Sequence, residues 1–438
     1  MVKDPKKIVN ADKDVIWHPF TQAQTAPDVI PIVRGEGAKL FDAEGREYLD
    51  LISSWWVNTH GHAHPKIAKA IGDQAGQPEH VIFAGFTHEP AVVLAKRLKE
   101  MLPGDLNRVF YSDNGSTAVE VALKIAYQYF SNKGAPRKKF LAFEGAYHGD
   151  TVGAMSVGQS SGFFDAWKDL LFDVAAIPFP ATWQGDVDVE QKEQESLTSL
   201  QRVLETQGAD TCAMILEPLV QGAGGMRMCR PEYLRSLVEM LRSAGILVIF
   251  DEVMTGFGRT GELFACIKAN ITPDLICLSK GLTGGFLPLS ATVCRDEIYD
   301  AFLDDSFDKA FAHGHSFAAN PLGCAAAIAS QDLLTAPDTQ TWIAAISAVH
   351  EERLAQLATF EPLEHARQTG TIAAIDIIAD DSGYSASVGP KLKAYFLEQG
   401  MLIRPLGNVM YVLPPYCISD DDLHRAYDAI ETAAKTIL

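Results

Sequence analysis

Two residues with complementary chemistry each stand at the end of an apolar run. Asp251 closes ILVIFDE, and Lys280 follows in PDLICLSKGLTGG. Both runs predict buried strands of one sheet, separated by a short crossover. An amine and a carboxylate at neighbouring strand ends suit pyridoxal phosphate, because the lysine can form a Schiff base with the aldehyde and the carboxylate can keep the pyridine nitrogen protonated. The alternative is an amphipathic lysine and a strand-end aspartate on an unrelated α/β sheet.

The composition is that of a globular chain with a strongly acidic balance. Of 438 residues, 47% are hydrophobic and 21% are charged, and the formal net charge is −19. This charge disfavours nucleic acid and anionic membranes as partners, so an anionic substrate needs a local cation. We expect neither a signal peptide nor a membrane span. The seven cysteines are scattered and never form a CxxC pair, which is typical of reduced thiols, and the sequence therefore predicts a cytoplasmic protein.

Alternating helix and strand patterns from about residue 65 to 325 predict an α/β fold with a mostly parallel sheet. The strand candidates are RVFYSD, KKFLAFE, CAMILEP, ILVIFDE, DLICLS and LSATVC. Residues 37–51 predict a hairpin, and the polar segment 181–200 is interpreted as a surface excursion. We expect three segments, namely an N-terminal arm with part of a small domain (1–60), a large domain (61–330) and a C-terminal α+β small domain (331–438).

Several polar motifs follow predicted strands, which is where open α/β sheets bind ligands. In SDNGSTAVEV, Asn114, Gly115 and Ser116 begin a helix, and the start of a helix can bind a phosphate. A plain helix cap explains these residues as well. In FEGAYHGD, the ring of Tyr147 can stack on a flat cofactor, with packing in the core as the alternative. Glu217 has the same position before a glycine-rich loop.

Three other motifs indicate different chemistry and are not adopted. GFGRTG (256–261) matches the GxGxxG dinucleotide pattern, but no second strand with an acidic end follows it. GQSSG (158–162) matches the GxSxG hydrolase pattern, but no buried strand leads into Ser160. The alternating histidines of THGHAHP (59–65) lie in a loop with proline and glycine and without other ligand residues, so we predict no metal site.

Longer motifs carry a specific resemblance to a known family. The sequences DEVMTGFGRTGELFA, PDLICLSKGLTGGFLPLSAT and HGHSFAANPLGCAAA resemble class III pyridoxal-phosphate aminotransferases of fold type I, and the resemblance covers nearly the whole chain. WHPFTQ, SSWW, FAGFTH, QGAGGMRM and IRPLGNVMYVLPPY are similar to the branch of the family that acts in biotin biosynthesis. The resemblance implies pyridoxal 5'-phosphate as cofactor, a mostly parallel central sheet in a large domain with a smaller α+β domain, and a homodimer with shared active sites.

The resemblance also implies a role for each matching residue. Lys280 would carry the internal aldimine and then move the proton, and Asp251 would pair with the pyridinium nitrogen. The residues expected at the cofactor phosphate are Gly115 and Ser116, joined by His315 and Ser316 from the other subunit. The residues expected around the substrate are Tyr147, which also stacks on the cofactor, with Phe20, Trp55, Trp56, Gly314 and Arg404. A guanidinium such as that of Arg404 is a natural receptor for a carboxylate.

The chain departs from the family pattern at three of these positions. Phe20 stands where family members can carry Tyr, so a hydroxyl that can reach the substrate amine is missing. His315 replaces a residue that is often Pro, and Ser316 replaces Thr but keeps its hydroxyl.

The resemblance implies amine transfer to 8-amino-7-oxononanoate, with adenosylmethionine as the expected donor and lysine as the donor of some relatives. The alternative within the fold is an ω-amino-acid or diamine aminotransferase. A lyase, racemase or aminomutase with the same cofactor would also keep Lys280, and a binding protein with lost activity would not need it together with Asp251.

Overall fold

The computed structural model describes residues 4–158, 164–379 and 386–437. Within these ranges the strands are β1 (Ile32–Glu36), β2 (Lys39–Asp42), β3 (Glu47–Asp50), β4 (Leu106–Ser112), β5 (Lys139–Phe143), β6 (Ala175–Ile177), β7 (Thr211–Leu216), β8 (Val220–Gln221), β9 (Arg227–Met228), β10 (Leu247–Asp251), β11 (Leu275–Leu278), β12 (Ser290–Arg295), β13 (Leu363–Thr369), β14 (Ile372–Ile377), β15 (Met401–Leu402) and β16 (Val409–Val412).

The helices of the same ranges are α1 (Pro5–Val15), α2 (Ser53–Trp56), α3 (Pro65–Ala75), α4 (Glu89–Met101), α5 (Gly115–Asn132), α6 (Val152–Ser156), α7 (Val189–Gln207), α8 (Pro231–Ser243), α9 (Ala265–Ala269), α10 (Asp296–Asp300), α11 (Pro321–Leu334), α12 (Pro337–Leu357), α13 (Val388–Glu398) and α14 (Asp420–Thr436). Short 3-10 helices cover Asp165–Leu170, Gly208–Asp210, Lys280–Thr283 and Phe307–Lys309.

The central sheet has the strand order β4-β12-β11-β10-β7-β5-β6. β12 is antiparallel to both of its neighbours, and the other pairings are parallel. Alternate residues of β10 face different layers: Ile249 packs in a cluster with α5, whereas Val248 and Phe250 pack in a larger cluster with α4 and α8. Both faces are therefore covered, which explains the continuous apolar runs of the middle strands. The prediction of an α/β fold with a mostly parallel sheet is confirmed.

The predicted strands of the large domain all appear in this sheet, and β10 pairs directly with β11. The hairpin predicted over 37–51 is formed by β2 and β3. The short edge strand β6 was not predicted. The segment 181–200, interpreted as a surface excursion, contains a helix that was not predicted, because α7 begins at Val189 and buries only Ser196 and Leu200. Its Gln, Glu and Leu residues are good helix formers, and Leu200 anchors the helix in the core.

Smaller sheets join distant parts of the chain. β15 pairs with β3, so the N-terminal strands and the C-terminal region form one sheet of order β1-β2-β3-β15. β13, β14 and β16 form an antiparallel sheet against which α12 packs. The domain limits near residues 60 and 330 stay a prediction.

The remaining predictions concern membrane spans, cysteines and two sequence motifs. None of the helices in the described ranges is long and apolar enough to cross a membrane. The cysteines are all free, and Cys417 alone of the seven is partly exposed. Ser160 of the GxSxG match lies outside the described residues. The histidines of the 59–65 loop serve the fold: His60 contacts Ser330, His62 contacts Asp50, and His64 caps α3.

Candidate active site

A cavity of about 390 Å³ lies at the carboxyl ends of the central strands. Asp251 is the last residue of β10, and Lys280 follows β11 by two residues. The predicted residues that line this cavity are Trp56, Gly115, Ser116, Tyr147, Asp251 and Lys280, and further lining residues include Asn114, His148, Glu217, Val253 and Thr283. Parallel strands bring their carboxyl ends to one edge of the sheet, which is why segments distant in the chain meet here.

Lys280 begins the short 3-10 helix Lys280–Thr283 with a positive φ of 46°. Its amine lies 4.7 Å from the centroid of the Trp56 ring. Desolvation lowers the pKa of Lys280 to about 8, although the carboxylates of Asp251 and Glu217 act in the opposite direction. A substantial share of this amine is therefore neutral near physiological pH, as a nucleophile or proton acceptor requires.

Asp251 is held by two hydrogen bonds. Its Oδ2 lies 2.7 Å from Nδ1 of the buried His148, and its Oδ1 accepts from the backbone N–H of Val253 at 3.1 Å. The Nε2 atom of His148 is buried without a hydrogen-bond partner among the described residues. His148 follows Tyr147 directly in the motif FEGAYHGD, but nothing local in the sequence indicates that it meets a strand end far along the chain.

A second buried carboxylate, Glu217, ties two loops of the cavity together. It accepts the backbone N–H of Tyr147 at 3.1 Å and that of Gly222 at 2.9 Å. Burial raises the pKa of Glu217 to about 7, with a further raising effect from Asp251 and a lowering effect from His148. The sequence gives one indication that Glu217 belongs to the site, namely its position at the end of a predicted strand.

Tyr147 lies between the cavity and a surface loop. Its hydroxyl donates to Asp150 at 3.0 Å, and its ring is stacked on that of Phe164 at 6.0 Å between centroids. Burial and the Asp150 carboxylate raise the pKa of the Tyr147 phenol, so the hydroxyl is protonated at neutral pH.

The start of α5 is consistent with both interpretations of residues 114–117, a helix cap and a phosphate-binding site. Asn114 caps the helix through the Thr117 N–H, and the Thr117 side chain accepts from the Asn114 N–H in return. Gly115 and Ser116 nevertheless line the cavity with the first turn of this long helix. The helix dipole and the backbone N–H groups of a first turn favour an anion.

A second cavity of about 370 Å³ adjoins the first and shares Trp56, Tyr147 and Lys280 with it. Its wall is aromatic, because Phe20 and Trp55 lie edge to face at 5.6 Å. The Arg404 guanidinium lies 4.4 Å from the centroid of the Trp55 ring. Arg404 therefore places a cation in this second cavity, which Lys280 also lines. We call the second cavity the aromatic channel.

A family model described as Aminotransferase class-III matches residues 21–434, which is nearly the whole chain. This chain belongs to the class III aminotransferase family. The class III enzyme is therefore a pyridoxal-phosphate-dependent transaminase of fold type I that acts on small-molecule substrates.

Individual relatives agree with this membership. The adenosylmethionine-8-amino-7-oxononanoate aminotransferase of Synechococcus elongatus is 54% identical over 95% of this chain and 97% of its own length. The crystal structure of the enzyme of the same name from Methanocaldococcus jannaschii has a TM-score of 0.92 and 36% identity and covers 99% of each chain. A thermostable (S)-enantioselective omega-transaminase from Thermomicrobium roseum has a TM-score of 0.92 and 30% identity, also over 99% of each chain.

The cavity of this class III enzyme fits its cofactor. It offers an amine, a carboxylate and a helix start, which match the aldehyde, the ring nitrogen and the phosphate of pyridoxal phosphate. The loops around the helix start leave no room for side chains. A Cβ on Gly115 would lie 2.7 Å from Val253 Cγ1, and one on Gly149 would lie 2.1 Å from Ser116 Oγ.

The remaining predicted residues lie elsewhere in this class III chain. Gly314, His315 and Ser316 do not line either cavity among the described residues. His315 Nδ1 lies 3.0 Å from the Asp113 carboxylate, just before the helix start, and Ser316 is exposed. Their expected role in another subunit's site stays a prediction.

Proposed function

We propose that this transaminase transfers an amino group to the ketone of 8-amino-7-oxononanoate in biotin biosynthesis, with adenosylmethionine as the amino donor. The observation that carries the proposal is the aromatic channel that joins Lys280 to Arg404. The acceptor is a long apolar chain with a carboxylate at one end and a ketone and amine near the other. Such a molecule can place its carboxylate on Arg404 and its ketone near Lys280.

The cofactor would be held by the residues of the first cavity. Pyridoxal phosphate, when bound, supplies an electron sink that stabilises negative charge on the substrate carbon. Asp251, oriented by its contact with His148, would hold the proton on the ring nitrogen. Gly115 and Ser116 would bind the phosphate at the start of α5, and Tyr147 would cover one face of the ring.

The Lys280 amine would take the proton from the substrate carbon and pass it to the cofactor when the amino group is transferred. Its lowered pKa leaves a neutral amine available as the base. Trp55 and Trp56 would exclude water from the apolar part of the substrate, and Phe20 would complete that wall without the hydroxyl that Tyr offers. Arg404 supplies the local cation that a chain with a net charge of −19 needs for an anionic substrate.

A second candidate is transfer to or from an ω-amino acid or a diamine. It is supported by the 30% identity to the omega-transaminase of Thermomicrobium roseum over 99% of this chain. Lys280 and Asp251 would serve that reaction equally well. The two candidates differ in the acceptor that the aromatic channel admits.

A single half-reaction tests the proposal. The cofactor-loaded enzyme is converted to its aminated form, excess amine is removed, and 8-amino-7-oxononanoate is added alone. We expect the absorbance of the unaminated form to return rapidly, with one 7,8-diaminononanoate formed per site. If the absorbance stays unchanged while simple aldehydes or α-keto acids react, the biotin assignment is wrong and the second candidate takes its place.

We also propose a cytoplasmic homodimer in which His315 and Ser316 reach the phosphate in the partner's cavity, with Gly314 at the partner's channel. The apolar side chain of Phe317, next to this loop, supports the proposal. Its ring packs on that of His80, and Phe317 is 63% exposed, as expected of a residue that a partner subunit covers.

A hybrid dimer tests this sharing of residues. Lys280→Ala and Ser316→Trp chains are each expected to be inactive alone, because each lacks one part of every site. When they are co-expressed, half of the dimers are hybrids with one intact site, so about a quarter of wild-type activity should return. Activity that stays absent in purified hybrids would place Ser316 in the site of its own chain.

A further inference from the structure

The segment Ser53–Trp56, which carries Trp55 and Trp56 and is called the aromatic wall below, has an unusual backbone. Ser53, Ser54 and Trp56 of α2 have φ angles of 51°, 61° and 65°, in the left-handed region that side chains other than glycine rarely adopt. This four-residue stretch presents Trp55 to Arg404 and Trp56 to Lys280. Because left-handed backbone is strained for these residues, it persists only where surrounding contacts hold it in place.

A fully buried carboxylate makes these contacts. Asp50 Oδ2 accepts from the backbone N–H of Ser54 at 2.7 Å and from its hydroxyl at 3.2 Å. Asp50 Oδ1 accepts from the N–H of Ile52 at 3.2 Å. The carboxylate therefore binds the backbone on both sides of the first left-handed residue, Ser53.

His62 is the partner of this carboxylate. Its Nε2 lies 2.9 Å from Asp50 Oδ2, and its Nδ1 lies 3.0 Å from Asn58 Nδ2. The orientation of the Asn58 amide is determined by the N–H of Gly61, which donates to Asn58 Oδ1 at 2.8 Å. Because Asn58 Nδ2 is a donor, His62 Nδ1 must accept, and the ring proton is assigned to Nε2, from which it donates to Asp50.

The place of the His62 ring is itself determined by the N-terminal sheet. The N–H of His62 donates to the carbonyl of Gly37 at 2.7 Å. A Cβ on Gly35 of β1 would lie 2.6 Å from His62 Cβ, so the strand packs directly on this side chain. A chain of contacts thus runs from the N-terminal sheet through His62 and Asp50 to the aromatic wall.

We propose that Asp50 and His62 are positioning residues for substrate recognition, in which the hydrogen bond from His62 Nε2 to Asp50 holds the Ser53–Trp56 wall in its substrate-binding conformation. The inference deepens the proposed function, since the wall binds the apolar chain of the carboxylate substrate. Neither residue is among the described residues that line the two cavities of the site, so each acts through Ser54 and the two tryptophans.

Paired substitutions at His62 test the proposal in the cofactor-loaded enzyme. Gln places an amide nitrogen where Nε2 stands and keeps the donor to Asp50, whereas the shorter Asn keeps a partner for Asn58 and loses Asp50. We expect His62→Asn to raise KM for 8-amino-7-oxononanoate about tenfold with kcat changed less than about threefold. His62→Gln should stay within about twofold of wild type in both constants. Equal effects of Asn and Gln, or a fall in kcat at unchanged KM, would overturn the proposal.

A milder variant covers the case in which His62→Asn does not fold. Ser54→Ala removes the hydroxyl bond to Asp50 and leaves the backbone N–H bond, so KM should rise about threefold. An unchanged KM would contradict the proposal. His365→Ala is the matched control, because it breaks a histidine–aspartate contact, with Asp376 at 3.1 Å, that lies outside both cavities. It should leave KM unchanged.

A substrate-independent readout separates this inference from the proposed function. The near-ultraviolet circular dichroism of the tryptophans should change in His62→Asn and stay as in wild type in His62→Gln. If wild-type enzyme does not aminate 8-amino-7-oxononanoate but this pattern appears, the proposed substrate is wrong and the positioning role stands. Identical spectra for the Asn and Gln variants would remove the positioning role.

Discussion

His148 Nδ1 lies 2.7 Å from Asp251 Oδ2, and both side chains are buried at the edge of the central sheet. The second oxygen of Asp251 accepts from the Val253 N–H at 3.1 Å. Together the two bonds fix the orientation of the Asp251 carboxylate. A carboxylate held in this way is the partner that a protonated ring nitrogen needs.

Asp251→Asn should lower kcat about a thousandfold, because the amide cannot stabilise a protonated ring nitrogen. Steady-state kinetics of the cofactor-loaded variant measure the effect. Glu252→Gln is the comparison, since the neighbouring Glu252 is also buried but accepts from the N–H groups of Ala265 and Cys266 at 2.7 Å. It should lower the melting temperature and keep the rate per folded molecule. A rate loss of similar size in both variants would contradict the assigned role of Asp251.

Lys280→Ala should still bind pyridoxal phosphate but lose activity by about a thousandfold or more, because it removes the amine that moves the proton. Cofactor content after gel filtration and turnover are measured on the same sample. The control is Lys268→Met, since the Lys268 amine donates to Thr260 O at 2.8 Å and to Thr369 Oγ1 at 2.6 Å outside both cavities. Near-normal turnover of Lys280→Ala would exclude Lys280 as the catalytic base.

Arg404→Ala should raise KM for the carboxylate substrate about ten- to a hundredfold, as expected for the loss of charge-assisted hydrogen bonds. Arg404→Lys should recover part of this loss, because the charge remains while the bidentate geometry is lost. The affinity for the cofactor should not change. An amine substrate without a carboxylate is the internal control, and an equal rise in its KM would assign Arg404 a structural role instead.

The rate at which cofactor-free protein takes up pyridoxal phosphate should depend on the neutral fraction of Lys280. Burial lowers the pKa of this amine from 10.5 to about 8, so its neutral form grows as pH rises through that value. Uptake should rise about fivefold between pH 7 and 8 and less than about twofold between pH 8 and 9. Stopped-flow absorbance across this range measures the profile. A rate that grows about tenfold between pH 8 and 9 would indicate an ordinary lysine.

Residue order predicts the parts of this enzyme whose signals are local. Apolar runs mark the strands, and a polar residue directly after such a run marks the binding edge of a parallel sheet. Lys280, Asp251, Gly115 and Tyr147 were accessible in this way, and all four line one cavity. The helix α7 was missed because polar residues dominate it, although they are helix formers.

Tertiary structure alone decides which distant groups meet. His148 and Asp251 are 103 positions apart, and the Trp56 indole donates to the Tyr411 hydroxyl across 355 positions. No periodicity reports such a contact, since it depends on strand order, on loop paths and on how the C-terminal strand β16 packs against the aromatic wall. The shifted pKa of Lys280 arises from the same assembly, because the desolvation of its amine depends on the segments packed around it and not on the residue alone.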